Sequence, residues 1–185
     1  LFISILIAIL RGLFFIPLSN PAEFRDAGLD EQPIIGILPK INEENKDKEI
    51  IKQSLESSFL NLRLLKEDMK VIVLTSPTSG NGKTTISSEL AKKISTSNKV
   101  LLMDCDLKRG NIHKTFNLNR VSISEISGLS KDISQINKFK VTDSLYVIPR
   151  ISRLSDSFNY VDSENFNKIL ENLKKEFDYI IIDTA

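Results

Sequence analysis

The chain has 185 residues, with 25 Lys and Arg against 24 Asp and Glu, for a formal net charge of +1. That balance disfavours electrostatic capture of nucleic acid, while 41% apolar residues with only 7 Gly and 6 Pro exclude a disordered or collagen-like chain. The single cysteine, Cys105, excludes an internal disulfide or a four-thiolate zinc site and points to a reducing compartment.

The chain opens with LFISILIAILRGLFFI, residues 1–16, which is apolar apart from Ser4, Arg11 and Gly12. A helix of this composition has no wet face. Sixteen helical residues span about 24 Å, less than the roughly 30 Å hydrocarbon core of a bilayer. Residues 1–16 are therefore expected to be the carboxyl-terminal part of a transmembrane helix, with Arg11 reaching the cytoplasmic headgroups; a buried core helix is the alternative. The chain stops at Ala185, directly after a strand-like run, so both ends read as cuts in a longer protein.

Residues 17–48 carry four prolines and a charged tail and read as a juxtamembrane connector. Within it PIIGILP, residues 33–39, suits an edge strand or an extended segment, because proline lacks the ladder donor. Residues 49–67 place Ile51, Leu55, Phe59, Leu62 and Leu65 near helical spacing, which predicts an amphipathic helix packing on the adjacent domain or linking domains together.

The texture changes over residues 68–185. VIVLTS, residues 71–76, has strand length and β-branched composition, and is followed at once by PTSGNGKTT and the helical pattern ISSELAKKI. Strand, glycine-bearing loop and helix in that order make an anion cradle: Gly80 and Gly82 let backbone amides approach an oxyanion, and the helix adds its positive end. Lys83 is expected on the β and γ phosphates, the Thr84 hydroxyl on Mg²⁺, and Thr85 on a further phosphate oxygen. Pro77 stands where the strict phosphate-loop pattern has its first glycine.

Two more apolar runs, 100–103 and 179–182, deliver Asp104-Cys105-Asp106 and Asp183. Carboxylates at strand carboxyl ends lie at the edge where an open α/β sheet binds ligands, and Mg²⁺ takes one or two of them together with phosphate oxygens and water. SLYVIP (144–149) predicts another buried strand and 163–177 a helix with Phe166, Ile169, Leu170 and Leu173 inward, so strand and helix alternate as in a parallel sheet. Residues 117–140 give no clear periodicity beyond a short helix after Ser130. Cys105 reads as a small packing residue and His113 as a packing or capping residue. The expected fold class is α/β, a P-loop NTPase with a mostly parallel sheet flanked by helices.

The combination of TSPTSGNGKTTISSELA, VLLMDCDLKRGNIHKTFNL and DYIIIDTA resembles the bacterial tyrosine kinases (BY-kinases) of polysaccharide export. FFIPLSNPAEFRDAGLDEQPIIGILP resembles the region after the second transmembrane helix of the chain-length determinant proteins fused to them. The resemblance implies an inner-membrane protein whose cytoplasmic domain transfers the γ-phosphoryl of ATP to tyrosines, with Mg²⁺, in contact with neighbouring copies and the polysaccharide export machinery. By position, Ser79, Gly80, Asn81, Gly82, Lys83, Thr84 and Thr85 fall in the family's Walker A motif, Asp104 and Asp106 in Walker A-prime, and Asp183 in Walker B. The resemblance gives Asp104 the role of orienting or deprotonating the tyrosine hydroxyl; Asp106 and Asp183, with Thr84, hold the metal.

Ser79 and Gly110 stand where the family usually has proline, and Asn81 where it often has glutamate. In the helix before the domain Arg63 aligns with a subunit-contact arginine, while Leu60 occupies the other such position. The chain has 3 Tyr, at 146, 160 and 179, and no tyrosine cluster. Two other readings stay open. One is a membrane scaffold that binds nucleotide without transferring phosphate. The other is a partitioning or division-site ATPase, disfavoured because Thr78 stands in place of that class's signature lysine.

Overall fold

The computed structural model describes residues 33–38, 48–76, 80–106, 109–150 and 164–184. The expected transmembrane segment and most of the connector lie outside them. Among the described residues no helix is long and apolar enough to cross a membrane. The chain divides into two compact units, Leu1–Ile37 and Leu38–Ala185. Residues 33–38 form neither helix nor strand, so of the two forms expected there, an edge strand or an extended segment, the strand is not the one formed.

The second unit runs α1 (Lys48–Leu65), β1 (Val71–Leu74), α2 (Lys83–Ile94), β2 (Val100–Asp104), α3 (Ile112–Thr115), α4 (Ile123–Ser127), two 3₁₀ segments (Gly128–Ser130 and Ile133–Phe139), β3 (Leu145–Ile148), α5 (Glu164–Glu176) and β4 (Tyr179–Asp183). The four strands form one sheet in the order β1-β4-β2-β3, and every neighbouring pair is parallel. Successive residues of a strand face opposite sides, so continuous apolar runs need a cover on both. On one face Leu101, Met103, Tyr146, Ile148, Ile180 and Ile182 pack with Ile169, Leu173 and Phe177 from α5 and its end. On the other, Val100, Leu102, Val147 and Ile181 pack with Leu90, Ala91 and Ile94 of α2 and Leu55 of α1.

Helix α1 docks through Leu55, which is 2% exposed, through Phe59 edge-on to Tyr179 at 5.2 Å, and through Glu56, paired with Lys93 of α2 at 2.9 Å. The poorly periodic region 117–140 becomes α4 and the 3₁₀ segments; Ile126, Leu129, Ile136 and Phe139 all enter the α5-side core.

Candidate functional site

The strand order sets the site. Leu74, the last residue of β1, pairs with Asp183, and Asp183 pairs with Asp104. The loop leaving β1 therefore starts beside one acid, and the other acid stands on the next strand. Backbone bonds beyond the ladder lace these ends together: Cys105 N–H donates to the Asp183 carbonyl at 2.8 Å and Thr184 N–H to the Leu74 carbonyl at 3.1 Å. The Thr184 hydroxyl also donates to the Leu74 carbonyl, at 2.9 Å.

In the phosphate loop, Gly80 and Gly82 have φ of 85° and 79°, the left-handed region that only glycine enters at little cost. A Cβ at either position would meet nothing within 4 Å, so backbone conformation rather than crowding demands glycine. Gly82 is the N-cap of α2, no side chain caps that end, and the first turn holds no acid. The positive dipole end of α2 thus meets no acid of its own first turn, which suits it to an anion. Asn81 and Thr85 are exposed beside them. Ser79 lies outside the described residues.

Lys83 Nζ donates to the Ser76 hydroxyl at 2.8 Å. Sequence reasoning missed Ser76, although its place at the exit of β1, just ahead of the loop, was the available signal. The Thr84 hydroxyl donates to Asp183 Oδ2 at 2.7 Å, joining the first turn of α2 to the end of β4. Because that hydroxyl spends its proton on Asp183, the oxygen's lone pairs stay available to a cation.

Asp183 is fully buried and its Oδ1 accepts no hydrogen bond. Burial pushes its carboxyl above the usual carboxylate range; the Thr84 bond opposes this, the Asp106 charge adds to it and Lys83 opposes it. Asp104 is 4% exposed. Its Oδ1 accepts from Asp106 N–H at 3.2 Å and its Oδ2 from Ile112 N–H at 3.1 Å. Burial, opposed by those two amides and reinforced by Asp183 and Asp106, pushes its carboxyl up to about 7. Asp106 sits on the loop after β2, its Oδ1 accepting from Arg109 N–H at 2.8 Å.

An orphaned buried carboxylate oxygen, a hydroxyl with free lone pairs and two further acids match what a hard divalent cation takes. Among the described residues no three His, Cys, Asp or Glu side chains group to hold a metal by themselves. Mg²⁺ keeps waters and shares a nucleotide's phosphate oxygens instead of filling an all-protein cage. The fit is to a metal that arrives with its nucleotide. Burial, reinforced by Asp104 and Asp183, pushes the Cys105 thiol up to about 12 and keeps it protonated, in line with a packing role. His113 lies on α3 with its Nδ1 buried and without a hydrogen-bond partner; burial, then Arg120, Lys114 and Arg150, lower its pKa.

A parallel α/β sheet with a glycine-bearing phosphate loop at its carboxyl edge defines a nucleotide-binding P-loop protein. A sequence model of the AAA domain matches residues 69–185. The chain is 31% identical over 158 residues to the tyrosine-protein kinase CpsD of Streptococcus pneumoniae, covering 80% of this chain and 68% of that protein. It is 30% identical over 151 residues to the tyrosine-protein kinase ptk of Acinetobacter johnsonii, of whose length it spans 20%. The BceF tyrosine kinase domain shares the fold, with a TM-score of 0.72 at 23% identity over 91% of this chain and 76% of that one. The chain belongs to the bacterial tyrosine kinase family.

Proposed function

We propose that this chain carries the catalytic domain of an ATP-dependent protein-tyrosine kinase, anchored in the bacterial inner membrane, that acts on itself or neighbouring copies and controls capsular or extracellular polysaccharide polymerisation and export. The carrying observation is the row formed by the phosphate-loop helix, Asp183 and Asp104, linked by the 2.7 Å Thr84–Asp183 hydrogen bond and the Asp104–Asp183 strand pairing.

In this reading the amides of Gly80, Asn81 and Gly82, with Ser79, Lys83 and Thr85, bind the ATP phosphates. Thr84, Asp106 and Asp183 would hold Mg²⁺, which when bound neutralises phosphate charge during transfer. Asp104 accepts the tyrosine hydroxyl proton. The phenolic oxygen then bonds to the γ-phosphorus, the bond from that phosphorus to the β–γ bridging oxygen breaks, and ADP leaves with that electron pair. A carboxyl lifted to about 7 suits this task, because a base working near neutral pH combines availability with proton affinity.

Tyr146 and Tyr179 are buried in β3 and β4, which fits an acceptor tyrosine outside the sheet. The full-length protein incubated with Mg²⁺ and labelled ATP is expected to acquire alkali-stable label on tyrosine, and Lys83→Met to abolish it. Persistent labelling in that variant overturns the assignment. Binding of ADP without any label on tyrosine supports the scaffold reading instead.

A further inference from the structure

The Lys83 ammonium stands near two kinds of acceptor, and it bonds to the neutral one. Its Nζ donates to the Ser76 hydroxyl at 2.8 Å, a contact that spans the phosphate loop from the exit of β1 to the first residue of α2. Asp183 lies within electrostatic reach of the same ammonium: burial lifts its carboxyl, the Thr84 bond opposes this, the Asp106 charge adds to it, and the Lys83 charge works to lower it. Yet Lys83 makes no hydrogen bond to that acid. Asp183 Oδ2 accepts from the Thr84 hydroxyl at 2.7 Å, and its buried Oδ1 accepts from no group.

An ammonium beside a buried carboxylate oxygen is expected to pair with it, because a charge-assisted hydrogen bond is roughly twice as strong as a neutral one. Such a pair would cancel two charges that the site uses separately. Lysine is a compact charge on a flexible stem, so a bond at its tip decides where it points. A hydroxyl fixes that direction and leaves the positive charge whole, which a carboxylate does not.

We propose that Ser76 is a positioning residue: by accepting from Lys83 Nζ it keeps the ammonium off Asp183, so that the lysine charge serves the nucleotide phosphates and Asp183 Oδ1 serves the divalent cation. This rests on the reading of the phosphate loop and Asp183 as one site for nucleotide and Mg²⁺, and not on phosphoryl transfer. Ser76 differs from Thr84 in kind. Thr84 bonds to Asp183 itself, whereas Ser76 acts on that acid only through Lys83.

The test is a double-mutant cycle in the full-length protein with Ser76→Ala, Asp183→Asn and the pair, and with Ser76→Thr as the conservative variant. ADP affinity is read by calorimetry with and without Mg²⁺. Mg²⁺ should tighten ADP binding at least tenfold in the wild type and in Ser76→Thr, but less than threefold in Ser76→Ala. In the Asp183→Asn background, Ser76→Ala should change the affinity in Mg²⁺ less than twofold.

Thermal melting without metal or nucleotide separates this role from the loss of a structural bond. Ser76→Ala should melt at or above the wild type, because Lys83 then pairs with Asp183, and the pair of substitutions should melt below Asp183→Asn alone. A full Mg²⁺-dependent gain in Ser76→Ala, loss of that gain in Ser76→Thr, or an equal fall in Tm from Ser76→Ala in both backgrounds overturns the proposal. A wild type that gains nothing from Mg²⁺ overturns the metal-site reading instead, and the sign of the melting shift then decides by itself whether Ser76 holds Lys83 off Asp183.

Discussion

The two ends of β2 and β4 differ sharply although they belong to the same strands. Over Val100–Met103 and Tyr179–Ile182 every side chain is apolar and buried between the two helical layers. One residue further along, the same ladder pairs Asp104 with Asp183, two carboxylates buried side by side. Buried apolar area stabilises the fold, at roughly 25 cal/mol per Å². Burying two like charges opposes it, and both pKa values rise in response. The first stretch, packed on both faces, fixes where the second stands. Stability and chemistry are thus separated along the strand rather than across the molecule.

Breaking each end separately should give opposite signatures. The largest effect is expected from Asp104→Ala, which should lower tyrosine transfer by about 10² to 10⁴ while ADP affinity persists, as removal of a general base does. A loss of ADP affinity equal to the loss of rate would place Asp104 in nucleotide binding instead. Next comes Ile180→Ala in the fully buried apolar stretch, expected to destabilise by about 2–5 kcal/mol in urea melts, with kcat per folded molecule nearly unchanged.

A smaller effect concerns pH. Asp104 titrates near 7 in the fold against an ordinary value of 3.8, so between those values the folded chain keeps a proton that the unfolded chain releases. Stability therefore declines as pH rises from about 4 to about 7, by at most about 1.4 kcal/mol per pH unit from this group. In metal-free buffer Asp104→Asn should melt higher than wild type at pH 8 and show a shallower decline from pH 5 to pH 8. An unchanged slope would mean the acid is not strained. The smallest effect is at Cys105, whose thiol, pushed up to about 12, should react with iodoacetamide at pH 8 far more slowly than a free thiol. Alkylation at the free-thiol rate would contradict that.

The apolar stretch is also the part most legible in the sequence. VIVL, LYVI and YIII each form strands where their composition places them, and Asp104 and Asp183 join the ends of theirs. A continuous run of buried β-branched residues is a local signal. The phosphate loop is equally local, since left-handed glycines, lysine and hydroxyls sit within a few residues.

Two features were not legible, for different reasons. The insertion of β4 between β1 and β2, which makes Asp104 and Asp183 neighbours, depends on pairings about 80 to 110 residues apart in sequence. Region 117–140 is obscure because it is built from a five-residue α-helix and two 3₁₀ segments, each too short to show a period. Of the two forms expected for 33–39, the edge strand is not formed over residues 33–38, where proline at the start supplies no ladder donor.

The central claim is that the phosphate loop and the β4 acid form one site for nucleotide and divalent cation. Calorimetric titration of ADP into the full-length protein, with and without Mg²⁺, tests it most directly when repeated on Asp183→Asn. Mg²⁺ should tighten ADP binding at least tenfold in the wild type and give little gain in the variant. Equal affinity with and without Mg²⁺ in the wild type, or the same Mg²⁺-dependent gain in both proteins, would contradict the account.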